Sequence, residues 1–421
     1  MSARTLLRDA RLYDPAIGLD RTADLLIEEG VIAAVGCGLP AAGARVLEGG
    51  GKLALPGFID LHVHLREPGE THKEDIETGA LAAARGGFTA VVAMANTRPP
   101  IDAADAVRAV AARGRSARAR GGARVWPAAC LTAGMVGRQP TDARALARAG
   151  AVALSDDGRS PERADVFLRA LYGAAAAGLP VFDHAEDPTL AQGVAHDGPV
   201  GRALGLAPRA GAAEGAQAAR DIALAEAAGA RLHLQHVSSR LSVRALRDAR
   251  ARGLSVTAEA TPHHLLLTEA VLAAAGTAAR VNPPLREEAD RAATWQALVD
   301  GTIEAVATDH APHTEAEKAA DFAAAPAGIS GLDGAVALLY QEVRAGRLSL
   351  GAFVARFAYG PARILGRPAE RLAEGAPCAV TLFAPEEAWT LGPESMASRG
   401  KSTPFRGRRL IGRPAGILLA E

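Results

Sequence analysis

Two histidines separated by one residue, in Asp60-Leu-His62-Val-His64, are the first feature of the chain that could do chemistry. On a strand, where side chains alternate with a period of two, both imidazoles leave the same face and can reach one metal ion. Alone, such a pair could equally be two satisfied core residues. Single histidines recur in Phe182-Asp-His184-Ala-Glu186 and Leu234-Gln-His236-Val-Ser-Ser239, each closing an apolar run. Four histidines at the ends of three strands are hard to explain structurally, and metal binding accounts for them all. Asp309, in Ala307-Thr-Asp-His-Ala-Pro-His313, closes a later run. A carboxylate there can touch a metal and still exchange a proton with water, the position of a general acid/base. Ser155-Asp-Asp-Gly158 offers a further aspartate. The bridge between two metals is often a carbamylated lysine, but no lysine lies between Lys73 and Lys318, so an aspartate, Asp157 or its neighbour Asp156, is the expected bridge.

Histidine and carboxylate donors without a thiolate suit Zn²⁺ first, with Mn²⁺ or Co²⁺ as substitutes. Two such cations can lower the pKa of a shared water and polarise a carbonyl, the apparatus for hydrolysing or forming an amide. Arg66, two residues beyond His64 in Leu65-Arg-Glu-Pro-Gly69, is placed to clamp a carboxylate in bidentate fashion. Asn96 and His313 can add hydrogen bonds. His72 and His196 are expected in solvated loops. His233 stands two residues before His236 on a face that can also point inward, and the pair His263-His264 is divided between supporting the site and structural hydrogen bonding.

The elements that position these residues show as short apolar runs alternating with longer Ala/Arg/Glu-rich helical stretches. The runs are 58–65, 88–95, 124–131, 151–157, 180–186, 231–238, 255–264 and 304–313. Eight strand-helix units over about 250 residues match a (β/α)8 barrel, and continuous apolar runs are expected of strands covered on both faces. Gly86-Gly87, Gly150, Gly178, Gly229 and Gly253 each close a helix shortly before the next strand. Catalytic groups of such barrels stand at the C-terminal strand ends, which is where His62, His64, Asn96, Asp157, His184, His236 and Asp309 fall. Outside the barrel, Leu6–Tyr13, Ala23–Glu28, Val31–Val35, Cys378–Phe383 and Leu410–Leu419 predict strands, with a turn at Thr403–Arg408. The expected architecture is α/β: a barrel over 56–369 and a small composite β-domain from 1–55 and 370–421.

Composition bounds the rest. With 47 basic and 47 acidic residues the net charge is zero, so nothing points to nucleic acid or an anionic membrane, and a small-molecule substrate is the default. The basic run Arg113–Arg124 lacks aromatics and predicts a solvated helix end. Cys37, Cys130 and Cys378 are odd in number and far apart, which argues against a disulfide framework and fits a reducing cytoplasm. Met1–Pro15 has no apolar core of a signal peptide, and no charge-free apolar stretch is long enough for a spanning helix.

Taken together, Pro56-Gly-Phe-Ile-Asp-Leu-His-Val-His-Leu-Arg-Glu-Pro-Gly69 with Asn96-Thr-Arg-Pro99 resembles bacterial type I dihydroorotase, of the amidohydrolase superfamily. The likeness spans nearly the whole chain and includes Ser155-Asp-Asp-Gly158, Thr257-Ala-Glu-Ala-Thr-Pro-His-His264, Asn282-Pro-Pro-Leu285 and Ala307-Thr-Asp-His-Ala-Pro-His313. The resemblance implies a zinc-dependent cyclic amide hydrolase that interconverts N-carbamoyl-L-aspartate and L-dihydroorotate in pyrimidine biosynthesis. By position, His62, His64 and Asp309 would hold one Zn²⁺, His184 and His236 a second, and Asp157 would bridge. Arg66, Asn96, Asn282 and His313, with His64, Ala327 and Gly328, would contact the substrate. Where the family usually has an aromatic residue before that glycine, this chain has Pro326-Ala-Gly-Ile329; Met-Pro-Asn of the family is here Met94-Ala-Asn96. The family allows a homodimer and association with aspartate transcarbamoylase. Two alternatives follow: a hydantoinase or allantoinase using the same metals, and a non-catalytic dihydroorotase-like subunit, the second disfavoured because every ligand position is filled.

Overall fold

A computed structural model describes residues 4–420; residues 1–3 and 421, expected in the small β-domain, lie outside the described residues. The N-terminal segment forms β1 (Arg4–Asp14), β2 (Leu19–Glu28), β3 (Val31–Gly36), β4 (Arg45–Glu48) and β5 (Leu53–Pro56). The barrel strands follow as β6 (Phe58–Val63), β7 (Phe88–Ala93), β8 (Arg124–Ala129), β9 (Ala153–Leu154) and β10 (Val181–Asp183). A two-stranded ribbon, β11 (Ala195–His196) and β12 (Pro208–Arg209), interrupts the series before β13 (Leu232–Leu234), β14 (Val256–Ala260) and β15 (Ala305–Val306). The C-terminal segment returns as β16 (Ala379–Thr390) and β17 (Arg409–Leu419).

Every one of the eight expected runs supplies a strand, and all eight lie parallel in sequence order from β6 to β15. The ring is brought round at its seam by His310. Its carbonyl accepts from His64 N–H at 2.7 Å, and the residue bridges Val63. Asp60, fully buried, reinforces the seam by accepting from Thr308 N–H (3.0 Å) and Thr308 Oγ1 (2.6 Å). The strands are shorter than their apolar runs; the run at 151–157 contributes only Ala153–Leu154 to pairing. Where a run ends in chemistry the backbone leaves the ladder, and two such residues, His236 and Asp309, take positive φ.

Two packed layers hold the barrel. Ile59, Leu61, Ala90, Val92, Ala128, Ala153, Phe182 and Ala305, from six strands, converge in its interior with Ala362, Ile364 and Leu365. Phe58, Val63 and Leu65 belong instead to the layer shared with the helices. A register shift between Asp60 and Val63 reconciles the two facings, so Leu61 fills the interior while His62 and His64 face the cluster described below. Helices end as their glycines predict, with left-handed C-caps at Gly150, Gly178 and Gly229.

The terminal segments share one sheet in the order β17-β16-β5-β1-β2-β3, with β4 on β1. It is largely antiparallel, but β1 pairs parallel with both β4 and β5. β16 runs seven residues past the Phe383 end expected of it, and β4 was not foreseen. Among the described residues no helix is long and apolar enough to cross a membrane, and all three cysteines are free.

Candidate active site

At the C-terminal ends of the barrel strands the six expected ligands come together, each no more than 8% exposed. The Asp157 carboxylate lies between the histidine pairs. Its Oδ1 is 3.4 Å from His62 Nε2, 3.5 Å from His184 Nδ1 and 3.7 Å from His236 Nε2, and its Oδ2 is 3.4 Å from His64 Nε2. Asp309 Oδ1 approaches His64 Nε2 at 3.2 Å and His62 Nε2 at 3.5 Å. Asp156 faces away, accepting from Leu131 N, Thr132 N and the Thr132 hydroxyl, so the competing aspartate is engaged in holding the 131–132 turn.

Each imidazole but one is oriented from behind, and the partner fixes the tautomer. Glu259 accepts from His62 Nδ1 at 2.9 Å, leaving the Nε2 lone pair toward the two aspartates. Asn96 Nδ2 donates to Asp157 Oδ2 at 3.1 Å, so its Oδ1 is the acceptor for His64 Nδ1 (2.9 Å), and His64 also presents Nε2. His184 donates through Nε2 to Glu186 (3.1 Å) and presents Nδ1. Glu186 is itself paired with Arg209 at 2.9 Å. His236 Nδ1 has no hydrogen-bond partner among the described residues. Backing bonds of this kind set ring orientation and basicity wherever histidines bind metals.

The arrangement is that of a cation site. His184 Nδ1 and His236 Nε2 face each other at 2.9 Å, a separation that lone pairs tolerate only around a shared proton or metal. Among the described residues, buried Asp157 Oδ1 has only these imidazole nitrogens around it, none in hydrogen-bond geometry. Four ligands about 2.0–2.1 Å from a tetrahedral zinc stand ~3.3 Å apart, close to the nitrogen-to-oxygen separations here. Electrostatics agree. Burial works to lower the His184 pKa, but Asp157 and Glu186 outweigh it and carry it to about 10; burial works to raise Asp309, but the imidazoles, His62 first, hold it far below its usual value. Two groups, His62-His64-Asp309 and His62-Asp157-His236, can each hold a metal ion.

The expected substrate residues ring this cluster. Arg66, at a positive φ of 57°, places Nε 3.3 Å from Pro312 O and Nη2 3.3 Å from His313 Nε2. His313 Nε2 also meets Ala327 O at 2.9 Å. A carbonyl can only accept, so Nε2 carries the proton; burial, aided by Arg66, keeps the ring neutral by bringing its pKa to about 3. Gly328 has φ of 132°, and a Cβ there would stand 2.6 Å from Ala311 O, so no side chain fits. Asn282 lies apart from Arg66, lining with His184, Glu186, Arg159 and Arg209 a cavity of about 630 Å³. Among the described residues, three of the six non-glycine residues with positive φ are Arg66, His236 and Asp309; strain gathered at one site marks a functional constraint.

A family profile described as Dihydro-orotase-like matches residues 51–242. The dihydroorotase of Pelotomaculum thermopropionicum is 44% identical over 413 residues, covering 98% of this chain and 96% of its own. That of Thermus aquaticus is 46% identical over 422 residues, covering 98% and 97%. The chain belongs to the dihydroorotase family. Among solved structures, a dihydropyrimidinase from Brevibacillus agri aligns with a TM-score of 0.82 at 25% identity, and a D-hydantoinase with 0.84 at 26%, each over 99% of this chain and 94% of the other. These neighbours are related amidohydrolases, and with the eight-stranded ring they bear out the barrel.

The structure brings further residues to the site. Glu259 is fully buried between His62 and His233, whose Nε2 lies 3.1 Å from it. The signal was available: a carboxylate in the apolar run 255–264 is costly unless paired. Glu186, in the sequence only a near neighbour of His184, accepts from its Nε2. His196, expected in solvent, is 8% exposed and packs against Arg286, because the β11–β12 ribbon folds that loop back over the chain. His72 is solvated as expected. His264 is structural, bonded to Thr261 Oγ1 and Pro283 O. His263 is buried within the field of Asp309, His236 and His62.

Proposed function

We propose that this chain is a dihydroorotase: it opens L-dihydroorotate to N-carbamoyl-L-aspartate and, in reverse, closes the ring. The observation that carries the reading is Arg66 held beside His313 above a cluster of four histidines and two aspartates. His62, His64 and Asp309 would hold one Zn²⁺ and His184 and His236 a second, with Asp157 reaching both pairs. Bound there, the ions would acidify a water and polarise the ring amide carbonyl.

The chain's own groups do the rest. Arg66 binds the substrate carboxylate, Asn282 donates a hydrogen bond, neutral His313 accepts one at Nδ1, and Asn96 and Ala327-Gly328 form the wall around the ring. Asp309, held ionised by the surrounding imidazoles, accepts the proton of the water that adds to the ring amide carbon. The C–N bond breaks, and Asp309 returns the proton to the nitrogen, which leaves as the terminal NH₂ of the carbamoyl group. Hydantoin and allantoin lack a carboxylate beside the ring nitrogen and leave Arg66 without a partner. The filled ligand set argues against a non-catalytic subunit.

The division of the chain into 56–369 and a composite 1–55/370–421 domain, a cytoplasmic setting, a homodimer and an association with aspartate transcarbamoylase belong to the same reading. The test is ring opening of L-dihydroorotate by the purified protein with bound metal assayed in parallel. Turnover that a chelator abolishes and Zn²⁺ restores is expected; turnover indifferent to the chelator, or none with metal bound, overturns the reading.

A further inference from the structure

Between Asp309 and the substrate wall the chain makes a loop whose two ends are joined by one buried cation. Thr314 caps a short helix, Glu315–Lys318. The Lys318 side chain turns inward, 6% exposed, and its Nζ donates to Pro326 O (3.0 Å) and Gly328 O (2.9 Å). Between those anchors the residues of 319–324 are exposed or half-buried. Among the described residues no carboxylate forms an ion pair with it, so two main-chain carbonyls alone compensate its charge. Burying an ammonium on such terms is costly, and a methionine would fill the space without that cost. The carbonyls chosen flank Ala327, whose own carbonyl takes the His313 Nε2 proton; Gly328 N–H is pinned to Arg280 O at 2.9 Å.

We propose that Lys318 is a positioning residue for the substrate, its ammonium fixing the 326–328 main chain so that Ala327 O orients His313 beside Arg66. The inference rests on the proposed function, since it takes Ala327, Gly328 and His313 as the substrate wall. Lys318 touches neither metal ligands nor substrate, so its loss acts on binding rather than on the chemical step. Burial, with a smaller push from Arg280 on the facing 276–280 turn, lowers its pKa to about 8. His313, at the loop's start, is the facing group that feels its charge in return, and Glu315 and Glu317 share its own helix. Above pH 8 the amine is neutral, the charge assistance to both carbonyls is lost, and the wall loosens.

The experiment compares wild type, K318M and K318R for KM and kcat on L-dihydroorotate between pH 7 and 10, with amide exchange followed across 319–330 and the barrel strands. At pH 7, K318M should raise KM about tenfold or more, the worth of a charge-assisted hydrogen bond, with kcat within ~3-fold. Exchange should quicken in 326–330 and not in the barrel. K318R, which keeps cation and donors, should recover most of the KM. Wild-type KM should climb above about pH 8 and that of K318R only at higher pH. An unchanged KM in K318M, or exchange quickened throughout the barrel with kcat lost, overturns the proposal. Should K318M not fold, a wild-type KM flat from pH 7 to 10 overturns it. A wild type that opens no dihydroorotate takes down the proposed function and this inference together, whereas an active wild type with an indifferent K318M takes down this inference alone.

Discussion

The two sides of the barrel mouth are held in different ways. The strand-end cluster is side chain upon side chain: Glu259 behind His62, Asn96 behind His64, Glu186 behind His184, and Asp157 among them, all inside the barrel's packed end. Across from it, Arg66 and His313 are held by the main-chain carbonyls of Pro312 and Ala327, and the 326–328 wall is tied through its own carbonyls to Lys318 Nζ. Side chains rooted on strands fix ligand positions within narrow limits, as a metal site requires. Carbonyls on a loop fix a surface that can differ among relatives while the chemistry stays. The lesson is a division of labour: the strand ends supply the reaction and the loops choose the ring.

The largest effect should come from breaking the chemical side without disturbing its architecture. Asp309→Asn keeps size and hydrogen bonding but cannot take up a proton, so kcat should fall at least ~10²-fold, within the range of a lost general acid/base, while metal content per chain stays near wild type. Turnover near wild type, or loss of metal in proportion to loss of rate, would erase the distinction between ligand and proton carrier.

A smaller effect sharpens the same comparison from behind the ligands. Glu259→Gln retains the shape of the group accepting from His62 but removes its charge, and metal affinity should fall ~10-fold, the lower end for partners of metal-binding histidines. The rate of metal loss to a chelator reads this directly. Burial works to raise the Glu259 pKa, but His233 and His62 more than offset it, bringing it down to about 2. The carboxylate is therefore charged throughout the working pH range, and the wild-type metal-loss rate should show no step from its titration above pH 4.

How much of this could be read from the chain depended on how local the signal was. The cluster was legible because each ligand closes an apolar run, and the run itself announces a strand end; His62, His184, His236 and Asp309 needed no knowledge of pairing. Glu259 was half legible: a carboxylate in an apolar run demands a partner, but which partner exists only once β14 stands opposite β6, with Glu259 and His62 197 residues apart in sequence. Lys318 is unremarkable in Glu-Lys-Ala-Ala, since nothing local says that its side chain turns inward to carbonyls eight and ten residues on. Asp156 and Asp157 are adjacent and identical, and only the hydrogen bonds of Asp156 to the 131–132 turn tell them apart geometrically. In the small domain the strands were visible one by one, while the parallel pairing of β1 with β5 and the length of β16 follow from tertiary contacts.

The division of labour rests on Arg66 reading a carboxylate, and the most direct measurement is kcat/KM for L-dihydroorotate against dihydrouracil, the same ring without the carboxylate, in wild type and Arg66→Ala. A site built around a charged substrate group rejects the analogue that lacks it, so the wild-type ratio should be at least ~10², and Arg66→Ala should lower the dihydroorotate value toward that of dihydrouracil while leaving the latter nearly unchanged. A wild-type ratio near one, or a loss in Arg66→Ala that is equal for both rings, would contradict the account and place the choice of substrate elsewhere in the mouth.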